Sequence, residues 1–173
     1  MRVVLVFPPL WDLNILPMLG VPVIAGCLRE FGHSTLAIDL NSEFYNYVST
    51  EDFWTKITEH YKATENSENS DEKTYISELK SACYRPELYI EKVKNYMQVF
   101  RDEDLFFTPS NLNSALSDVD TITYAAVKLN QICFDYEEKI GYNIFEDFYE
   151  KVFEKIKDFE PDAIGLSVYW EKQ

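Results

Sequence analysis

Val3 to Phe7 (VVLVF) constrains this chain more than any other segment. It is an unbroken apolar run, mostly β-branched and closed by Pro8 and Pro9, as in a strand buried on both faces of a parallel sheet. A helix is expected next. In residues 21–33 (VPVIAGCLREFGH) Pro22 suits a first helical turn, Val23, Ile24, Cys27, Leu28 and Phe31 recur at helical spacing, and Gly32 supplies the stop. Ser34 to Leu40 (STLAIDL) then reads as a second strand, which completes a βαβ unit.

The end of the chain repeats this grammar. Phe148, Val152, Phe153, Ile156 and Phe159 form one apolar helical face, Glu160-Pro161-Asp162 ends the helix, and Ala163 to Val168 (AIGLSV) reads as a third, buried parallel strand. Between the two ends no comparable β run occurs. Helices are expected at about 50–63, 74–84, 86–101 and 115–140, with a polar loop at Glu65 to Lys73 (ENSENSDEK) and a Pro-containing break at Phe106 to Asn113. The organisation expected is a first βαβ unit (1–43), a helical insert (44–147), and a helix and third strand that return to the α/β core (148–173).

Charge narrows the partners. Of 173 residues 30 are acidic and 16 basic, a net −14, the wrong sign for neutralising phosphates, so nucleic acid is excluded as a partner. Residues 44–160 hold 24 acidic and 13 basic residues, so a net −11 lies between the β-rich ends. The run from Val3 to Leu10 is too short and too Pro-interrupted to span a membrane. Cys27, Cys83 and Cys133 are odd in number, far apart and without a C-x-x-C, which argues against disulfides, structural zinc and an iron–sulfur cluster and places the chain in the cytoplasm.

Ligands of open parallel sheets bind beyond the carboxyl ends of the strands, here Pro8 to Trp11, Asp39 to Asn41 and Ser167 to Trp170. Neither G-x-G-x-x-G nor a P-loop occurs, Phe7-Pro8-Pro9 and Val168-Tyr169-Trp170 stand where a phosphoacceptor domain needs acidic residues after the first strand and an aspartate after the third, and FPPLWDLN lacks the Ser, Thr and Gly that hold a flavin phosphate. What remains is an apolar, rigid loop, Pro8-Pro9-Leu10-Trp11, followed by Leu19 and Gly20. Two readings stand: these side chains cover the face of a large hydrophobic cofactor, or they pack against the insert. The same two apply to Trp170, and Ser167 is equally open to a local backbone hydrogen bond. His33 follows a helix stop, where a cation complements the macrodipole. His60 sits beside Glu59 with no second histidine at ligand spacing, and the acidic runs at Asp102–Asp104 and Glu137-Glu138 read as solvated faces.

Taken in order, these pieces resemble a family. Residues 2–41, with their strand, Pro8-Pro9 loop, Pro17-Met18-Leu19-Gly20 turn, helix ending Leu28-Arg29-Glu30-Phe31-Gly32-His33 and strand ending Asp39-Leu40-Asn41, resemble the N-terminal cobalamin (vitamin B12)-binding domain of radical S-adenosylmethionine (SAM) enzymes. The insert with Pro109 and the return Pro161-Asp162-Ala163-Ile164-Gly165-Leu166-Ser167 are similar to members of the same group. The resemblance implies a flavodoxin-like or Rossmann-like α/β sheet of order 2-1-3 with a large acidic helical insert. It gives Pro8, Pro9, Leu10, Trp11, Leu19, Gly20, Ser167, Val168, Tyr169 and Trp170 the task of shaping the cofactor face. The D-x-H-x-x-G of methionine-synthase-type domains is missing, so the cobalamin implied has no protein His ligand.

The C-x-x-x-C-x-x-C that binds the 4Fe-4S cluster is also missing, so radical chemistry, SAM and the cluster are assigned to a C-terminal part outside these residues, with methyl transfer or a related radical reaction as the activity of the intact enzyme. The chain is therefore expected to be a segment of a longer protein, non-catalytic alone, partnered by cobalamin and the rest of the radical SAM chain. Its third strand, an unpaired apolar edge, is expected to self-associate. The competing expectation is an α/β scaffold that binds no cobalamin and whose acidic insert docks a protein or peptide.

Overall fold

The structure, a computed structural model, describes residues 1–7, 20–65 and 67–166. In chain order the elements are β1 (Arg2–Phe7), α1 (Gly20–Glu30), β2 (Ser34–Asp39), α2 (Leu40–Val48), α3 (Glu51–Thr64), α4 (Ser70–Ala82), α5 (Glu87–Arg101), α6 (Glu103–Phe106), α7 (Pro109–Ile140), α8 (Glu146–Phe159) and β3 (Ala163–Leu166). They fall into two compact units, Met1–Tyr45 with Asp147–Gln173, and Asn46–Glu146.

The first unit is built on a parallel sheet of order β2-β1-β3. The apolar run at Val3 to Phe7 is β1, the central strand, paired in register from Arg2↔Ser34 to Phe7↔Asp39 on one side and from Val3↔Ala163 to Val6↔Leu166 on the other. Both of its faces are buried, as continuous hydrophobicity demands. Val3, Leu5 and Phe7 pack with Val21, Ala25 and Leu28 of α1, whereas Val4, Val6 and Ile38 pack with Leu36, Leu40, Ile156 and Phe159. Helix α1 thus covers one face of β1, and α8 with the first residue of α2 meets the other.

Local chemistry sets the ends of these elements. Gly32 closes α1 in the left-handed region (φ 79°), with the Gly32 N–H donating to the Arg29 carbonyl and the His33 N–H to that of Leu28, the double bond of a Schellman stop. Asp39 ends β2 and starts α2 directly, its carboxylate accepting from the backbone N–H of Asn41 (3.0 Å) and Ser42 (3.2 Å) and from Ser42 Oγ (2.9 Å). Leu40, expected as the last strand residue, is therefore the first of a helix. At the return, the Asp162 carboxylate accepts from the Arg2 N–H (2.6 Å), the Asp162 N–H donates to the Arg2 carbonyl (2.8 Å), and Arg2 pairs with Glu160 (2.8 Å). These bonds fix the register of β3 against β1.

Two expectations for this unit need correction. The apolar run of β3 suggests burial on both faces, but Ile164 and Leu166 are 55% and 67% exposed, because β3 is an edge strand. Phe153, assigned to the buried face of α8, is also exposed; Phe148 and Val152 are the fully buried residues of that helix, and Phe153 follows Val152 by one position, about 100° around the axis.

The second unit is all helical and has its own aromatic core. Trp54 is fully buried, stacked on Tyr89 (4.4 Å, 21°), edge-on to Phe53 (4.9 Å), and its indole N–H donates to the Val48 carbonyl (2.9 Å). The 32-residue helix α7 opens on Pro109 at its first turn, where a missing N–H costs nothing, and supplies Ala115, Ile122, Ala125, Ala126, Leu129 and Cys133 to the interior. Asp118 on its inner side accepts from Lys92 Nζ (2.5 Å) and Asn95 Nδ2 (2.6 Å), which locks α5 against α7 with a satisfied polar pair. The two ends of the unit are neighbours, since the Tyr47 and Phe145 rings lie 6.4 Å apart.

The polar stretch Glu65 to Lys73, expected as loop, is helical from Ser70 onward. Asn69 Oδ1 caps α4 by accepting from the N–H of Asp71 (2.9 Å) and Glu72 (3.4 Å), and the two carboxylates of the first turn favour the positive end of the dipole. Among the described residues no helix is long and apolar enough to cross a membrane.

Candidate functional site

The parallel order brings the carboxyl ends of the three strands to one edge of the sheet. Phe7 lies opposite Asp39, and Val6 opposite Leu166. β1 and β3 are neighbours here although the chain leaves β1 first toward β2, so the connection order reverses between them, the place where open α/β sheets hold ligands. Of the candidate residues, Gly20 lies within the described residues. It is exposed in the first turn of α1, and a Cβ built on it would meet nothing within 4 Å among the described residues. Pro8, Pro9, Leu10, Trp11, Leu19, Ser167, Val168, Tyr169 and Trp170 lie outside the described residues. Asp39, at the end of β2, has both carboxylate oxygens committed to the start of α2.

A second polar group of residues, not anticipated from the sequence, lies in the helical unit. His60 of α3 meets the rings of Tyr75 (5.9 Å) and Tyr142 (5.3 Å) edge-on, and its Nε2 is buried with no hydrogen-bond partner among the described residues. Tyr142 donates to Glu72 Oε1 (3.0 Å), Ser67 Oγ donates to the other oxygen of the same carboxylate, and the Tyr75 hydroxyl lies 3.4 Å from Cys133 Sγ. Burial holds the His60 pKa below that of a free imidazole, partly offset by the Glu72 charge. It pushes the thiols of Cys83 and Cys133 up to about 12, so neither is a ready nucleophile. Cys27 is exposed, and all three thiols are free. Among the described residues no three His, Cys, Asp or Glu side chains are grouped to hold a metal ion. The period of α3 shows that His60 is on a helix but not which turn of α4 it meets, and only the Asn69 cap fixes that.

The neutral imidazole of His60 gives a pH prediction. Its folded pKa lies below the unfolded value of about 6.5, so on acidification the unfolded chain takes up this proton first, and stability present above pH 6.5 falls as the pH drops toward the folded pKa. Urea midpoints measured across this window should fall in the parent and fall less steeply in His60→Phe; equal slopes would show that His60 is solvated.

Comparison of the chain with protein-family models, with curated proteins and with solved structures returns no match. The sheet order and the strand-end geometry therefore carry the functional reading.

Proposed function

We propose that this chain is the N-terminal cobalamin-binding-like part of a cobalamin-dependent radical SAM enzyme. The observation that carries the reading is the adjacency of β1 and β3 at the point where the sheet reverses its connection order. The two apolar candidate segments, Pro8 to Trp11 and Ser167 to Trp170, follow these two strands directly in the chain. A flat hydrophobic cofactor is the ligand class that such Pro- and Trp-containing segments suit. When bound, cobalamin supplies a carrier for a methyl group. The role of this chain is to seat it, and the resemblance gives Pro8, Pro9, Leu10, Trp11, Leu19, Gly20 and Ser167 to Trp170 the task of shaping the cofactor face.

Ile164 and Leu166 are exposed on a face of β3, which supports further covering elements in the intact enzyme, since parallel strands are ordinarily covered on both faces. The first test is to read the coding sequence beyond Gln173 for a Gly-rich strand turn followed by C-x-x-x-C-x-x-C. In the product that carries the complete sheet, hydroxocobalamin should quench the emission of Trp11 and Trp170. No quenching in that product would remove the cobalamin reading and leave an α/β scaffold with a docking insert.

A further inference from the structure

The connection between α5 and α7 carries apolar surface that the core does not use. Phe100 is 40% exposed, Phe106 37% and Phe107 72%, and with Arg101, Asp102 and Glu103 they line an open hollow of about 280 Å³. The rings are not loose. Buried Tyr96, whose hydroxyl donates to the Ser49 carbonyl (3.2 Å), meets Phe100 at 5.8 Å; Phe100 meets Phe106 at 6.2 Å, and Phe106 meets Phe107 edge-on at 5.3 Å. This aromatic ladder runs from the core to solvent. Its backbone is equally fixed, because Asp102 caps α6 by accepting from the Leu105 N–H (3.1 Å), and the Phe106 and Phe107 N–H groups donate to Asp102 (2.8 Å) and Glu103 (3.1 Å) carbonyls. A surface held in place before binding loses little entropy when it is covered.

Charge identifies what covers it. Asp102 and Glu103 line the hollow with the rings, Asp104 follows them in the chain, Arg101 is the one cation of the stretch, and residues 46–146 hold 19 acidic and 10 basic residues, a net −9. A second copy of this acidic chain and an anionic membrane are both repelled. A basic segment is attracted, and its Lys or Arg stems suit aromatic faces flanked by carboxylates.

We propose that the hollow formed by Phe100, Phe106 and Phe107, rimmed by Asp102 and Glu103, docks a basic amphipathic peptide segment, an apolar side chain seated among the rings and Lys or Arg against the carboxylates. This surface is independent of the cobalamin reading, and either stands if the other falls.

The probe is a fluorescein-labelled Lys/Leu amphipathic peptide of about four helical turns, followed by anisotropy on the full chain, with a Lys/Ser peptide of equal charge as comparison. The Lys/Leu peptide should bind, and Phe107→Ser or Glu103→Lys should each raise its Kd about tenfold, as loss of a central aromatic or charged contact does. Asp120→Lys and Tyr124→Ser, matched changes at exposed positions of α7, should change it less than about twofold. In the unaltered chain, backbone amide shifts should move at residues 100–107, a readout that does not depend on any variant folding. Equal weakening at the hollow and on α7, equal affinity for the Lys/Ser peptide, amide shifts centred elsewhere, no binding, or Phe107-dependent uptake onto phosphatidylglycerol vesicles in place of peptide binding would each overturn the proposal.

Discussion

Trp54→Ala lowers the unfolding free energy of the helical unit by about 4 kcal/mol, the size expected when a fully buried tryptophan leaves a cavity that its neighbours cannot fill. Two effects add here. The indole is completely enclosed between Tyr89 and Phe53, so truncation forfeits the transfer energy and the stacking together. Its N–H is also the partner of the Val48 carbonyl, which is left without that donor. Trp54→Phe keeps most of the volume and loses only the bond, so its cost should be about half as large or less. Urea unfolding followed at 222 nm, where the helices dominate, reads both. A loss below about 1 kcal/mol for the alanine variant would mean that Trp54 is not the centre of this core.

The second large effect is expected in the sheet. Val4 is completely buried in the central strand, paired with Leu36 and Ile164 and packed beside Val6, Ile38, Ile156 and Phe159, all apolar. Val4→Asp places a carboxylate there with no cation in its immediate shell. An uncompensated buried charge costs about 3–5 kcal/mol, comparable with the whole stability of a small α/β unit. The expected result is loss of hydrogen-exchange protection in β1, β2 and β3 with protection retained in α3, α4, α5 and α7, since the helical unit owns a separate core. Protection lost from both units together would show that the chain unfolds as one cooperative body.

The parts of this fold that are legible in the sequence are those where burial is all or none. Val3 to Phe7 has no polar residue on either face, so it announces a central strand, and Gly32 announces a left-handed stop that the φ of 79° confirms. Where a polar side chain serves the backbone, composition misleads. Asp39 and Asn69 both sit in stretches that read as strand end and loop, yet each is the cap that begins a helix. Phe153 fails for a different reason: five apolar residues on α8 exceed the width of the face that the sheet accepts, and the surplus ring is left in solvent. Of the candidate site, the chain order shows which strand ends supply it. The His60 group was not legible, because it depends on the contact of α3 with α4 and with Tyr142, which no local period encodes.

The nearness of Tyr47 and Phe145 bears on the order in which the chain folds. Strand β3 must find β1 across 160 positions, as in the pairing Val3↔Ala163, and closing an unfolded loop of about 100 residues costs about 4 kcal/mol of entropy before any of that pairing is gained. Once the helical unit has folded its ends are already together, and that loop shrinks to a bridge a few residues wide. Early formation of the helices therefore turns the slowest contact in the molecule into a local one, and swapping the whole unit for a short turn should leave the sheet able to form.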